Sequence, residues 1–219
     1  MPSVKIPRKS TDFDMTPFVD VAFLILSFFM LATKFKPPAP VEITTPYSVS
    51  SKELEQKNAM LIEMDKLGRV FFTMQVEKQE DNELKRSMIN SLNKSRNLGL
   101  GPAEVEAFVK NPTVGVPFSK LKNYLDLSEE QKKGYETKME GIPVLDSTDN
   151  QLIYWVGETK KAFGGTELNV MVKGDNNTKY PVFKQIIEAL RKNDLFKYKL
   201  ITSPEATPTG TELYKTRGK

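Results

Sequence analysis

An apolar run near the N-terminus constrains the fold more than any other feature of the sequence. Residues 17–33 read PFVDVAFLILSFFMLAT, and apart from Asp20, Ser27 and Thr33 every side chain in the run is apolar. A helix rising ~1.5 Å per residue makes this about 25 Å long, and residues 15–36 together reach the ~30 Å thickness of a bilayer's hydrocarbon core. A core helix of a soluble domain would have a polar face, and this run has none. A secretory signal peptide would be followed by an Ala-x-Ala cleavage site, and none follows this run. The sequence therefore predicts a transmembrane helix over residues 15–36.

The one charged side chain inside this run is Asp20. Thr16 is a good N-cap and Pro17 suits the first helical position, so Asp20 is predicted in the first turn, where the helix dipole favours a carboxylate at headgroup level. A charge deeper in lipid costs roughly 2.5–3.5 kcal/mol and persists mainly where it faces protein or a water-filled path. We interpret Asp20 as such a functional group, and the headgroup interpretation remains the alternative.

Helical periodicity places the other polar side chains of the run near Asp20. At ~100° per residue, Thr16, Asp20, Ser27 and Lys34 fall within about 40° of one another. Lipid cannot satisfy a polar stripe, so the stripe predicts a protein partner, with Thr16, Pro17 and Ser27 as secondary candidates for facing a pathway or capping the helix. Ser27 by itself is better explained by a hydrogen bond back to its own helix.

The composition excludes several classes of function. The chain has no Cys and no His, which removes thiol nucleophiles, His-based triads, iron–sulfur clusters and nearly all zinc sites, so we expect no enzyme and no cofactor. Its 32 basic and 28 acidic residues are interleaved, without the basic patch of a nucleic-acid-binding protein. No metal-ligand spacing is present, and we expect the following carboxylates to be solvated surface: Glu63, Asp65, Asp146 and Asp149.

The remainder of the chain predicts a small α+β domain over residues 59–202. A proline-rich linker over residues 37–58 precedes it, and its first elements are a hairpin of residues 59–64 and 70–74 that turns at Gly68. The domain closes with a strand over residues 168–172, a helix that begins at Tyr180, and a second strand over residues 198–202.

A long insertion at about residues 76–165 interrupts this unit, and we expect decoration or a partner-docking surface there. Its predicted elements are helices over residues 82–96 and 103–110, a helix capped by Ser128 and Gln131 that runs to Met139, and a strand over residues 151–157. A disordered tail is predicted over residues 203–219. The predicted fold is thus a single transmembrane helix followed by an α+β domain with a mixed helical insertion, whose edge strand is free to pair.

The run DFDMTPFVDVAFLILSFFML at residues 12–31 resembles the membrane segment of the ExbD/TolR biopolymer-transport family, in which an Asp follows a Thr-Pro by three residues. Residues 167–202 resemble the closing strand–helix–strand unit of the same family, and the insertion is more like that of Bacteroidetes members. Residue 14 is Asp here, whereas the family more often has Asn.

The resemblance implies a subunit of a proton-driven motor in the bacterial inner membrane. Asp20 would be the protonatable residue, protons the coupling ion, and an ExbB- or TolQ-like multi-span protein the partner that surrounds two copies of the chain. The work would reach a TonB-like protein or the Tol–Pal system. The basic residues Lys5, Arg8 and Lys9 favour a cytoplasmic N-terminus over residues 1–14 and a periplasmic C-terminal domain. The alternative is a passive, membrane-anchored envelope-binding module without proton flux.

Overall fold

The computed structural model describes residues 15–32, 41–49, 57–76, 82–145 and 149–205. The chain divides into two compact units, Met1–Pro38 and Ala39–Lys219. The predicted cytoplasmic segment, residues 33–36 of the predicted span, Lys34, Asp146 and residues 206–219 of the predicted tail lie outside the described residues.

The described part of the first unit is one helix, α1 (Thr16–Ala32). It begins at Thr16, one residue before Pro17, the predicted first helical position. Over the described ranges, no helix combines the length and the hydropathy that crossing a membrane requires.

The second unit contains seven strands and six α-helices among its described residues. In chain order they are β1 (Tyr47–Ser48), β2 (Ala59–Met64), β3 (Val70–Gln75), α2 (Asn82–Arg96), α3 (Pro102–Lys110), β4 (Thr113–Val114), α4 (Phe118–Leu125), α5 (Glu129–Tyr135), α6 (Leu152–Phe163), β5 (Asn169–Gly174), α7 (Tyr180–Arg191), β6 (Lys199–Ile201) and β7 (Ser203–Pro204). A 3₁₀ helix, Glu136–Lys138, follows α5.

Five of these strands form one mixed sheet in the order β4-β3-β2-β5-β6. β2 and β3 are the predicted hairpin, and Gly68 in its turn has φ of +81°, a conformation that favours glycine. β5 runs parallel to β2. β6 runs parallel to β5, because α7 returns the chain to the end of the sheet where β5 began. The predicted hairpin and strand–helix–strand unit are both present.

The core joins this sheet to helices of the insertion. Ile62 of β2, Phe72 of β3 and Val172 of β5 share one face of the sheet and are fully buried. Trp155 of α6 is also fully buried, with its ring centroid 5.2 Å from that of Phe72. α2 adds Met88, Ile89 and Leu92 to the same cluster. The sequence predicted decoration or a partner-docking surface for the insertion. The decoration half of this prediction is wrong, because the insertion is part of the domain's core.

The predicted strand over residues 151–157 is wrong, because these residues begin helix α6. The apolar run is too short to distinguish a buried strand from a helix by period. The deciding pattern extends past it: Leu152, Trp155, Val156, Thr159 and Phe163 are buried, at the 3- and 4-residue spacing of one helix face.

The predicted linker and the predicted disordered tail each contain a short strand. β1 lies within the predicted linker and pairs in parallel with β7, which lies within the predicted disordered tail.

The predicted helix from Ser128 does have its reciprocal cap, since Ser128 N donates to Gln131 Oε1 (3.0 Å) and Gln131 N donates to Ser128 Oγ (3.4 Å). Its α-helical part ends at Tyr135, before the predicted Met139.

Two of the four carboxylates predicted at the surface are buried. Glu63 and Asp65 are each 3% exposed, because the sheet and its turn enclose them. Each has a cationic partner: Lys173 Nζ lies 3.2 Å from Glu63 Oε1, and Arg69 Nε lies 2.7 Å from Asp65 Oδ2. Pairing offsets the cost of removing a carboxylate from water, and sequence spacing alone does not reveal the cross-strand partner Lys173.

Candidate functional site

The predicted site lies on α1. Asp20 is the fifth residue of this helix, so it falls in the second turn instead of the predicted first, and its side chain is exposed. With α1 helical throughout, Thr16, Asp20 and Ser27 lie on one side of it, as the sequence predicts. Pro17 lies in the first turn, where a missing backbone N–H costs no hydrogen bond.

Ser27 is satisfied within its own helix. Its Oγ donates to the carbonyl oxygens of Phe23 (2.6 Å) and Leu24 (3.3 Å). This is the back-bonding expected from the sequence for Ser27 alone, and it leaves Asp20 as the polar group of α1 that most needs an external partner.

The apolar side chains around Asp20 are exposed all round the helix. The large ones between Met15 and Met30 are 52–73% exposed. Contiguous apolar surface of this kind marks a protein or membrane contact. A carboxylate set in such a surface becomes costly once the surface is covered, unless a partner supplies a hydrogen bond or the carboxylate takes up a proton.

A second unpaired surface is the outer edge of β6. Within the described residues, β6 pairs with β5 alone, so its other side presents free backbone groups. Apolar side chains accompany this edge: Phe196 is 70%, Tyr198 36% and Leu200 52% exposed. An exposed edge with apolar side chains is suited to adding a strand from another chain, as the sequence predicts.

The turn between β5 and α7 holds the linker against the domain. Asp175 Oδ2 accepts a hydrogen bond from Thr44 N, and Asp175 Oδ1 accepts one from Asn177 N, both at 2.9 Å. These two backbone N–H groups, that of Asn177 foremost, lower the pKa of the Asp175 carboxyl, because they stabilise its charged form. The Asp-Asn-Asn composition is typical of a turn, but nothing in the sequence indicates that the turn holds Thr44.

The described residues offer no metal site: no group of three or more carboxylates lies together in them. The buried carboxylates Glu63 and Asp65 are already paired with cations, and Asp149 is exposed. The described residues thus hold a single carboxylate on an apolar helix in the first unit and an unpaired sheet edge in the second unit.

A comparison with protein families identifies a match over most of the chain. The model of a family described as biopolymer transport protein ExbD/TolR matches residues 7–205, which include α1 and every described element of the domain. No curated protein and no solved structure matches the chain significantly.

Proposed function

Because this chain belongs to the ExbD/TolR family of biopolymer transport proteins, we propose that it is the ExbD-like subunit of a proton-driven motor in a bacterial inner membrane. α1 would be its single membrane span, the N-terminus would be cytoplasmic and the domain periplasmic. The family consists of transport components that are not enzymes, and we propose no catalytic role for this chain. The observation that carries the proposal is Asp20, a lone carboxylate on a helix whose apolar side chains are exposed on every side.

Asp20 would be the proton carrier. A carboxylate in contact with a partner's polar groups is stable when charged, and once neutral it can pass apolar surface. Each proton that crosses a potential of 100 mV releases ~2.3 kcal/mol, about four times RT, which is enough to bias one conformational step. Repeated protonation and release would therefore drive repeated steps between α1 and its partner.

The partners follow from the same family. We propose an ExbB- or TolQ-like multi-span protein around α1, and a TonB-like or Tol–Pal protein as the recipient of the work. The free edge of β6 supports a self-dimer or the addition of a partner's strand, since both would pair its unpaired backbone groups. Either contact would cover Tyr198 and Leu200.

Replacing the carboxylate tests the proton role. We expect Asp20→Asn, co-expressed with the multi-span protein that co-purifies with the chain, to assemble normally and to reduce proton flux into proteoliposomes to background. Asn has nearly the same shape as Asp, but its side chain does not ionise. Loss of flux without loss of assembly would therefore show that flux depends on the ionisable carboxyl group.

Ser27→Ala is the matched control on the same side of the helix. It removes a hydroxyl that is bonded within α1, so flux should stay at the level of the unaltered protein. Unchanged flux in Asp20→Asn would contradict the proton role and favour the passive envelope-binding module, for which Asp20 near the start of α1 would rest at headgroup level.

A further inference from the structure

Three helices of the insertion meet around the side chain of Arg96. Arg96 is the last residue of α2, Phe118 is the first residue of α4, and Tyr154 is the third residue of α6. The guanidinium carbon of Arg96 lies 4.1 Å from the ring centroid of Tyr154 and 5.9 Å from that of Phe118. Both distances are those of cation–π contacts, so two aromatic rings hold an exposed cation.

The two rings are themselves supported by the core of the domain. The ring centroids of Phe118 and Tyr154 are 6.3 Å apart, and that of Phe118 is 5.9 Å from the ring of the fully buried Trp155. Phe118 N also donates to Gln151 Oε1 (2.9 Å), which joins the start of α4 to the start of α6. The support under Arg96 is therefore continuous with the core.

The backbone at Arg96 is fixed by the way α2 ends. The next residue, Asn97, has φ of +52°, and Leu98 N donates to Asn93 O (3.2 Å), so the chain leaves the helix in a tight turn. The Asn93 side chain bonds both backbone groups of Leu100: its Nδ2 donates to the carbonyl oxygen (2.9 Å) and its Oδ1 accepts from the N–H (3.0 Å). The helix end and the aromatic rings together restrict where the guanidinium can lie.

Arg96 differs from the other arginines of the described residues in having no anionic partner. Arg69, Arg86 and Arg191 each form an ion pair with a carboxylate. The Arg96 guanidinium has neither an ion pair nor a hydrogen bond to any described residue, so its five N–H donors are available to a ligand. The helix dipole favours a basic residue at the end of α2, which accounts for the charge but not for its place over two rings.

A guanidinium held over an aromatic ring is suited to binding a carboxylate. Its planar fork matches the two oxygens of a carboxylate, and a side chain that is already ordered loses less entropy when the contact forms. Arginine and aromatic residues are also enriched in protein interfaces. A nucleobase would need an open ring face to stack on, whereas the guanidinium already lies over one face of Tyr154.

We propose that Arg96, Phe118 and Tyr154 form a docking surface for an acidic segment of a partner protein, in which Arg96 binds a carboxylate. The proposal gives the insertion a role in binding, which the sequence leaves as one of two expectations. It goes beyond the proposed function and does not require a motor, because a passive envelope-binding module would use the same surface.

An NMR titration of the full chain in detergent micelles tests this surface. The probe is an eight-residue peptide of alternating Gly and Glu with blocked ends, and the comparison peptide has Gln in place of Glu. We expect the Glu peptide to shift the Hε signal of Arg96 and the backbone amide signals of Phe118 and Tyr154. The Gln peptide should bind at least ~10-fold more weakly, because it offers no charged acceptor. Equal binding of the two peptides overturns the proposal.

Substitutions on α2 test whether Arg96 itself binds the carboxylate. Arg96→Gln should weaken binding of the Glu peptide at least ~10-fold, and Arg96→Lys, which keeps the charge without the planar fork, about threefold. Lys94→Gln is the matched control, since it removes the same charge from an exposed residue about 200° round the same helix. It should leave the affinity unchanged within about twofold. Equal losses in Arg96→Gln and Lys94→Gln would reduce the effect to net charge and refute the surface.

Tyr154→Leu tests the part played by the ring under the guanidinium. It should increase the fast motion of the Arg96 Nε–H bond, measured by ¹⁵N relaxation, and weaken binding of the Glu peptide about threefold. The three substituted side chains are exposed, and an unchanged urea midpoint checks that each variant keeps its fold. Unchanged motion and affinity in Tyr154→Leu contradict the composite surface. A short oligothymidylate that binds more tightly than the Glu peptide would assign the surface to a phosphate-bearing partner instead and would also overturn the proposal.

Discussion

At the scale of single residues, surroundings decide what a carboxylate does. Asp20 and Glu63 each lie among apolar neighbours in the sequence, yet Asp20 is exposed and Glu63 is 3% exposed. Glu63 is stabilised by Lys173, which is 110 positions away and directly opposite it in the β2–β5 register. Asp20 has no such partner among the described residues of its own unit, and the proposed partner protein would supply one.

Removing the partner of Glu63 should cost stability. We expect Lys173→Met to lower the free energy of unfolding by about 2 kcal/mol, because it leaves a buried carboxylate unpaired; the loss is below that of a fully buried pair because the Lys173 side chain is 22% exposed. The double variant Glu63→Leu with Lys173→Met should recover most of the loss. Urea unfolding followed by the fluorescence of Trp155 measures both, and equal losses in the single and double variants would contradict the argument.

At the scale of elements, the contact between α6 and α7 explains why a glycine, which disfavours helix formation, lies within α6 at residue 157. Asn193 lies after the end of α7, and its Nδ2 donates to Ile153 O of α6 (3.0 Å) and to Ala189 O of α7 (2.9 Å). Gly157 lets α6 approach this side chain: a Cβ at Gly157 would lie 2.7 Å from Asn193 Oδ1. The absence of a side chain at Gly157 therefore leaves room for the Asn193 amide between the helices, although glycine disfavours its own helix.

Two glycine substitutions should have opposite effects. Gly157→Ala should destabilise the domain by about 1 kcal/mol, because the added methyl displaces Asn193 and its two hydrogen bonds. Gly134→Ala, in α5, meets no atom within 4 Å and should stabilise by about 0.5 kcal/mol, since alanine favours a helix. Thermal unfolding of the two variants side by side measures the sign of each change, and stabilisation by Gly157→Ala would refute the packing explanation.

At the scale of the whole molecule, the insertion completes the second unit. Trp155 packs against Phe72 of the sheet and against Phe108 of α3, whose ring centroid is 5.9 Å away. All three rings are fully buried. A layer of strands without these helices would expose one of its apolar faces to water.

Deleting the insertion should therefore prevent folding. A chain that begins at Ala39 should unfold in one cooperative transition at the same urea concentration as the full chain, because the second unit has its own core. The same chain without residues 77–165 should show no cooperative transition in circular dichroism. A cooperative transition in the shortened chain would mean that the insertion is an appendage after all.

The sequence by itself determined the features that depend on neighbouring residues. The apolar run and its Asp20, the hairpin that turns at Gly68, the Ser128–Gln131 cap and the helix after Tyr180 are set by local hydrophobic period, turn chemistry and capping. The family match from residue 7 to residue 205 agrees with the resemblance in those segments.

Only the tertiary structure decided the features that join distant parts of the chain. The apolar run at residues 151–157 is compatible with a strand or a helix, and burial against Phe72 and Phe108 selects the helix. The Glu63–Lys173 pair and the pairing of β1 with β7 connect positions more than 100 residues apart. Burial and pairing at that separation are set by the sheet register and by loop closure, which local sequence patterns do not contain.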